Sequence, residues 1–138
     1  MTALADIIAS HAGREGPLLP ILHDVQQAFG WVSEEAIREI AQALNLTRAE
    51  VYGVASFYHD FRAEPDERPV LKLCRAEACK ARGVEALVRE IEAEAGGRVR
   101  VETVYCLGLC SVGPAAFARG TVHARLTAES AAALVRSL

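Results

Sequence analysis

Apolar positions recur at helical spacing through the first sixty residues and switch to short runs after residue 70. Leu18, Leu22, Val25 and Phe29 form one helical stripe, with Pro17 suited to a first turn and Gly30 to a stop. Ser33 reads as the N-cap of a second helix. Glu34 and Glu35 follow in its first turn, where the helix dipole favours anions, and Ala36, Ile37, Ile40, Ala41 and Leu44 supply its apolar face. Thr47-Arg-Ala-Glu50 is a capping-box pattern, and Val51, Val54 and Ala55 continue it into a third helix. Residues 1–62 are therefore expected to form a small helical bundle.

Arg62 to Pro69 is polar, contains two prolines and reads as a linker. Beyond it, residues 69–138 predict a second domain of α/β type. Val70 to Leu73 is a buried-strand pattern. Val84, Leu87, Val88 and Ile91 make a helical stripe, with Glu85 and Arg89 as an i,i+4 pair on its wet side and Gly96-Gly97 at its end. Val99 to Tyr105 is rich in β-formers. Ala115 to Ala118 and Val122 to Leu126 predict a hairpin about Gly120, and Thr127 caps a last helix containing Leu134, Val135 and Leu138. The order is strand, helix, strand, strand, strand, helix. Its first strand–helix–strand unit implies a right-handed crossover joining a parallel pair, an order that suits a small thioredoxin-like layer.

Composition narrows the function classes. The chain has 138 residues, 51% hydrophobic and 24% charged, close to the globular average. A net charge of −3, with no basic run or stripe, excludes an evident nucleic-acid surface. No apolar run approaches the ~20 residues that cross a bilayer, so membrane insertion is not expected. Met1 to Gly13 lacks a charged segment followed by an apolar one, so a secretory signal is not expected. The expected location is cytoplasmic. In that reducing compartment paired cysteines bind metal or do redox chemistry more often than they form structural disulfides.

All four cysteines lie in the second half, as Cys74-x4-Cys79 and Cys106-x3-Cys110. On the strand pattern, Cys74 ends one strand and Cys106 ends its neighbour. Parallel neighbours lie about 4.8 Å apart, so the two thiols emerge side by side, each followed by a loop that returns a second cysteine. Convergence of four soft thiolates suits an iron–sulfur cluster or zinc. Structural zinc sites use gaps of about two to four residues, and about two in the ribbon types, whereas a four-residue gap also occurs in [2Fe–2S] ferredoxins and lets each pair grip one iron. Zinc, a disulfide pair and free buried thiols remain open on spacing alone. Gly108 and Gly113-Pro114 allow backbone N–H groups to approach sulfur. Arg75, Lys80 and Arg82 flank the first pair; they would favour added negative charge there, or are simply exposed charges at a helix start.

The four histidines, His11, His23, His59 and His123, show no metal-ligand spacing. Phe29 and Trp31 read as core or interface residues. Tyr52, Phe57, Tyr58 and Phe61 cluster near the end of the helical part, as core or as a partner contact. No G-x-G-x-x-G loop is present, which leaves no basis for NAD or FMN binding by this chain.

Leu19-Pro-Ile-Leu-His-Asp-Val-Gln26, Phe29-Gly-Trp-Val32 and Glu50-Val-Tyr-Gly-Val-Ala-Ser-Phe-Tyr58, together with Cys74-Arg-Ala-Glu-Ala-Cys79 and Cys106-Leu-Gly-Leu-Cys-Ser-Val-Gly-Pro-Ala-Ala116, resemble the small thioredoxin-like [2Fe–2S] subunit of respiratory complex I. The resemblance runs from about Gly16 to Leu126, with the helical and cysteine motifs in the family's order. Ser56-Phe-Tyr-His-Asp-Phe-Arg62, the form of the first cysteine motif and the short chain look most like the gamma subunit of cytoplasmic NAD-dependent formate dehydrogenases. The distance between the cysteine pairs is shorter than usual for complex I subunits.

The resemblance implies a thioredoxin-like [2Fe–2S] ferredoxin domain preceded by a docking bundle. Cys74, Cys79, Cys106 and Cys110 would hold one [2Fe–2S] cluster, and no residue of this chain would be catalytic. FMN and NAD would sit on a large partner subunit, beside further iron–sulfur and molybdopterin subunits. This chain would then be the non-catalytic electron-transfer subunit of an NAD-linked oxidoreductase, an NAD-dependent formate dehydrogenase. Other readings are the equivalent subunit of complex I or of an NAD-reducing hydrogenase, a free-standing ferredoxin, and a zinc-stabilised structural adaptor.

Overall fold

In the computed structural model, which describes residues 3–138, the chain divides into two compact units, residues 1–67 and 68–138. The first is all helical: α1 (Leu4–Ser10), α2 (Leu18–Phe29), α3 (Glu34–Leu44) and α4 (Arg48–Phe57). Their starts and stops follow from local chemistry. Ser33 accepts a hydrogen bond from the Ala36 N–H, and Thr47 and Glu50 close a reciprocal capping box. Gly30 and Asn45 end α2 and α3 in the left-handed conformation, at φ 81° and 54°. Ile21, Leu22, Val25, Ile40 and Val51 are fully enclosed between the helices. Gln26 ties the segment after α4 to α2: its side-chain oxygen accepts from the Arg62 N–H at 2.6 Å and its amide donates to the Asp60 carbonyl.

The residue pattern did not announce α1. It has no side chain able to cap at Ala3; the Asp6 carboxylate instead accepts from the Ala3 N–H at 3.3 Å. Burial of Ile7 and a 2.7 Å contact between His11 and Asp24 secure it to α2. So short a helix depends on tertiary packing rather than on its own propensity.

The second unit runs β1 (Val70–Cys74), α5 (Glu77–Ala81), α6 (Val84–Ala95), β2 (Arg100–Val104), a 3₁₀ turn (Cys110–Val112), β3 (Ala116–Ala118), β4 (Thr121–His123) and α7 (Ala128–Ser137). The sheet order is β2-β1-β3-β4, with β1 parallel to β2 and the other neighbours antiparallel. This is the α/β arrangement expected. Leu71 and Leu73 alternate with Lys72 along β1, and they share a core with Ala116 and Ala118 of β3, Leu87 and Ile91 of α6, and Ala131 and Val135 of α7. Thr127 opens α7 in a capping box with Ser130.

Three expectations change. The strand expected over 122–126 stops at His123, because Arg125 takes φ 50° and donates its N–H to the Val112 carbonyl at 2.7 Å. Cys79 lies within the single-turn helix α5 rather than in a loop. Glu85 does not pair along its own helix with Arg89; it reaches back to Arg75.

Two substitutions test this hierarchy. Leu71→Ala should cost about 2–5 kcal/mol through cavity formation in the second unit, and Thr47→Ala about 1 kcal/mol through loss of a cap. Urea unfolding followed by circular dichroism measures both, and equal effects would contradict the ordering.

Candidate metal centre

The site is built at one end of the central strand. Cys74 is the last residue of β1; its N–H donates to the Ala115 carbonyl at 3.0 Å, and the next N–H, of Arg75, donates to the Val104 carbonyl at 2.9 Å. The backbone carrying Cys74 is thus held from both sides. One turn of α5 then returns Cys79, and the two thiols are buried at 2% and 1% exposure. Cys74 lies close enough to act on the protonation of Cys79.

Cys106 stands two residues beyond the end of β2, not at its last position as expected, and both Cys106 and Cys110 are exposed. Cys106 adopts φ 123°, a region that favours glycine and in which a side-chain-bearing residue persists only if its surroundings hold it. The following loop does so. Gly108, at φ 76°, donates its N–H to Cys106 Sγ at 3.3 Å, and Cys110 Sγ lies 3.6 Å from Cys106 Sγ.

The two pairs meet through Gly113. A Cβ placed on this residue would lie 3.0 Å from Cys79 Sγ, tighter than an ordinary contact, so glycine lets the loop seat against that sulfur without displacing it. The next residues turn back into the sheet, where the Ala115 backbone also bonds to Cys79. The residue pattern marks Gly113 as a point of backbone approach; the structure shows that its missing side chain is what matters.

The four thiols differ chemically. The Gly108 N–H, followed by the bond with Cys110, holds the Cys106 thiol below its ordinary pKa. The bond with Cys106, and then the charge of Cys106, push the Cys110 thiol up. Burial, then the contact with Cys74, raise Cys79, and the Ala115 backbone partly offsets this. Nearby cations come with their own counter-charges. Arg75 makes two bonds to Glu85, at 2.9 and 2.6 Å, and Lys80 lies 3.7 Å from Glu77.

Among the described residues, no group of three or more His, Cys, Asp or Glu side chains is gathered to hold a single metal ion. The thiols form two pairs, a donor arrangement in which each pair can grip one iron of a two-iron cluster. The soft donors, the glycine seat at Cys79 and the amide aimed at Cys106 fit a [2Fe–2S] cluster. The histidines lie apart from this chemistry: His11 bonds Asp24, and His23 makes an edge contact with Phe61 at 5.1 Å. In the first unit Phe61 is buried, whereas Tyr52, Tyr58 and Phe57, the last at 75%, are exposed.

Residues 4–138 match the sequence model of the family described as thioredoxin-like [2Fe–2S] ferredoxin. NADH-quinone oxidoreductase subunit 2 of Thermus thermophilus is 36% identical over 111 residues, covering 74% of this chain and 61% of that protein. A subunit of the NADH-quinone oxidoreductase of Rhizobium meliloti is 32% identical, covering 94% of this chain and 82% of its own length. NADP-reducing hydrogenase subunit HndA of Solidesulfovibrio fructosivorans is 28% identical, covering 90% and 78%. A crystal structure of an NAD⁺-reducing [NiFe]-hydrogenase in its H₂-reduced state superimposes with a TM-score of 0.74 at 30% identity, covering 88% of this chain but 22% of that chain. This chain thus spans about three-fifths of the Thermus relative and about a fifth of the hydrogenase chain.

The pKa pattern has a direct readout. A lowered pKa leaves more thiolate at a given pH, so Cys106 should be alkylated by iodoacetamide first near neutral pH in the metal-free chain. Cys110 should follow as pH rises, and buried Cys79 should react last. Peptide mass mapping gives the order, and early modification of Cys79 would contradict the structure.

Proposed function

This chain belongs to the thioredoxin-like [2Fe–2S] ferredoxin family, and we propose that it is the [2Fe–2S] electron-transfer subunit of a cytoplasmic NAD-dependent formate dehydrogenase. The observation that carries the electron-transfer reading is the packing of Gly113, three residues beyond Cys110, against Cys79 Sγ, which brings the loop of the second thiol pair to the first. Cys74 and Cys79 would hold one iron and Cys106 and Cys110 the other. When bound, the cluster supplies a one-electron carrier. The chain's own residues do the rest: the buried positions of Cys74 and Cys79 exclude water from one side, and the Gly108 N–H stabilises negative charge on Cys106 Sγ. No residue here acts on a substrate, so FMN and NAD would belong to a neighbouring large subunit, with further iron–sulfur and molybdopterin subunits beyond it.

Support for the formate dehydrogenase assignment comes from Ser56 to Arg62 and from the Cys-Arg-Ala-Glu-Ala-Cys motif. A second reading, the equivalent subunit of complex I or of an NAD-reducing hydrogenase, is favoured by the names of the relatives. A gene for a molybdopterin, hydrogenase or membrane subunit beside this one separates the three. No helix among the described residues is long and apolar enough to cross a membrane.

The helical unit is the proposed docking element. Leu18, Leu19, Val54, Phe57 and Tyr58 line an apolar groove of about 460 Å³. The exposed faces of Tyr52, Phe57 and Tyr58 suit a contact with the flavin-bearing subunit, since aromatic anchors dominate such interfaces.

Anaerobic purification should yield a brown protein with iron and sulfide in equal amounts. It should be EPR-silent when oxidised and show a spin-half signal after dithionite. A colourless protein with equimolar zinc would overturn the electron-transfer reading in favour of a structural adaptor. Phe57→Ser should weaken co-purification with the flavoprotein by at least about tenfold, as loss of a hot-spot aromatic does, while leaving the cluster spectrum unchanged. Undiminished recovery would remove the docking role.

A further inference from the structure

Arg75 links the strand that carries Cys74 to the end of the strand that leads to Cys106. It directly follows Cys74, and its N–H donates at 2.9 Å to the carbonyl of Val104, two residues before Cys106. Its side chain lies within electrostatic reach of Tyr105, the residue before Cys106. The guanidinium is not left to solvent: Nε and one terminal nitrogen donate to the two oxygens of Glu85, at 2.9 and 2.6 Å. This fork-on-carboxylate geometry fixes the orientation of both groups. Glu85 stands in the first turn of α6, where the helix dipole favours a carboxylate, so the pair is anchored on a rigid element. Two further charges act on it: Lys80 lies within reach of Glu85, and Glu92 within reach of Arg75.

We propose that Glu85 is a positioning residue that sets the reduction potential of the cluster by neutralising and orienting Arg75. The proposal rests on the cluster reading above. Reduction transfers one electron from the donor or electrode, one ferric iron becomes ferrous, and no bond is made or broken. The product carries one more negative charge, so an uncompensated cation nearby favours it and an uncompensated carboxylate opposes it. With Glu85 in place, Arg75 contributes a local dipole instead of a full charge. The net effect of three cations beside the first cysteine pair is therefore smaller than their number suggests.

The experiment is spectroelectrochemical titration of the full chain carrying its cluster, comparing wild type with Glu85→Gln, Arg75→Gln and the double variant. Glu85→Gln should raise the ratio of reduced to oxidised protein at fixed ambient potential about threefold, or about 28 mV for one electron. Arg75→Gln should lower it by a comparable factor, and the double variant should return towards wild type. Both shifts should shrink as salt is raised. Visible circular dichroism reports whether the cluster environment is preserved, and Glu85→Asp, which keeps the charge, should restore most of the wild-type value. Equal potentials in both single variants, or displacement of both in one direction, would overturn the proposal while leaving the cluster assignment standing. A wild-type chain that takes up no iron and sulfide would overturn the cluster reading and this proposal with it.

Discussion

Sulfur needs more room than carbon, and in this protein the room is made by a residue without a side chain. Cys79 Sγ sits where the segment after the second cysteine pair passes, and a methyl group on Gly113 would stand 3.0 Å from it. Several other features follow from that seat. It brings the 3₁₀ turn beginning at Cys110 against α5, and it directs the chain through Ala115 into β3. There the Ala115 carbonyl receives the N–H of Cys74. The two cysteine pairs, with 26 residues between them in the chain, are thereby joined by backbone geometry before any metal is considered.

The pairs have different environments because they come from different kinds of structure. Cys74 and Cys79 are carried by the central strand and the turn of helix after it, and both are buried. Cys106 and Cys110 belong to a loop that overshoots the strand, with Tyr105 at 76% exposure beside them. Burial raises the pKa of Cys79, whereas the Gly108 amide lowers that of exposed Cys106. A cluster spanning the two would have one side in the protein core and one at its surface.

Much of this was legible in the residues themselves, for reasons that are local. Ser33, Thr47 and Thr127 cap helices by bonds to N–H groups three residues on, and Gly30 ends one by taking a left-handed conformation; such signals need no knowledge of the fold. The cysteine spacing likewise indicated which thiols belong together. What the residues did not disclose depends on distant partners. The helix at Leu4 to Ser10 exists because Ile7 and His11 find α2. The partner of Glu85 is ten residues upstream, on another element, while an equally plausible partner stood four residues away on its own helix. The last strand stops early because Arg125 bonds to a carbonyl in the loop after the second cysteine pair.

The sheet's outer strands carry a further consequence. β4 spans only three residues, and β2 presents Arg100 and Glu102, whose side chains form a 2.9 Å ion pair. Any unpaired strand offers its backbone as a template on which another chain can add, and the usual defences are brevity and charge. This sheet has one of each. The two open edges of this sheet are therefore poor templates for stray strands, and selectivity of association falls to side chains rather than to the backbone.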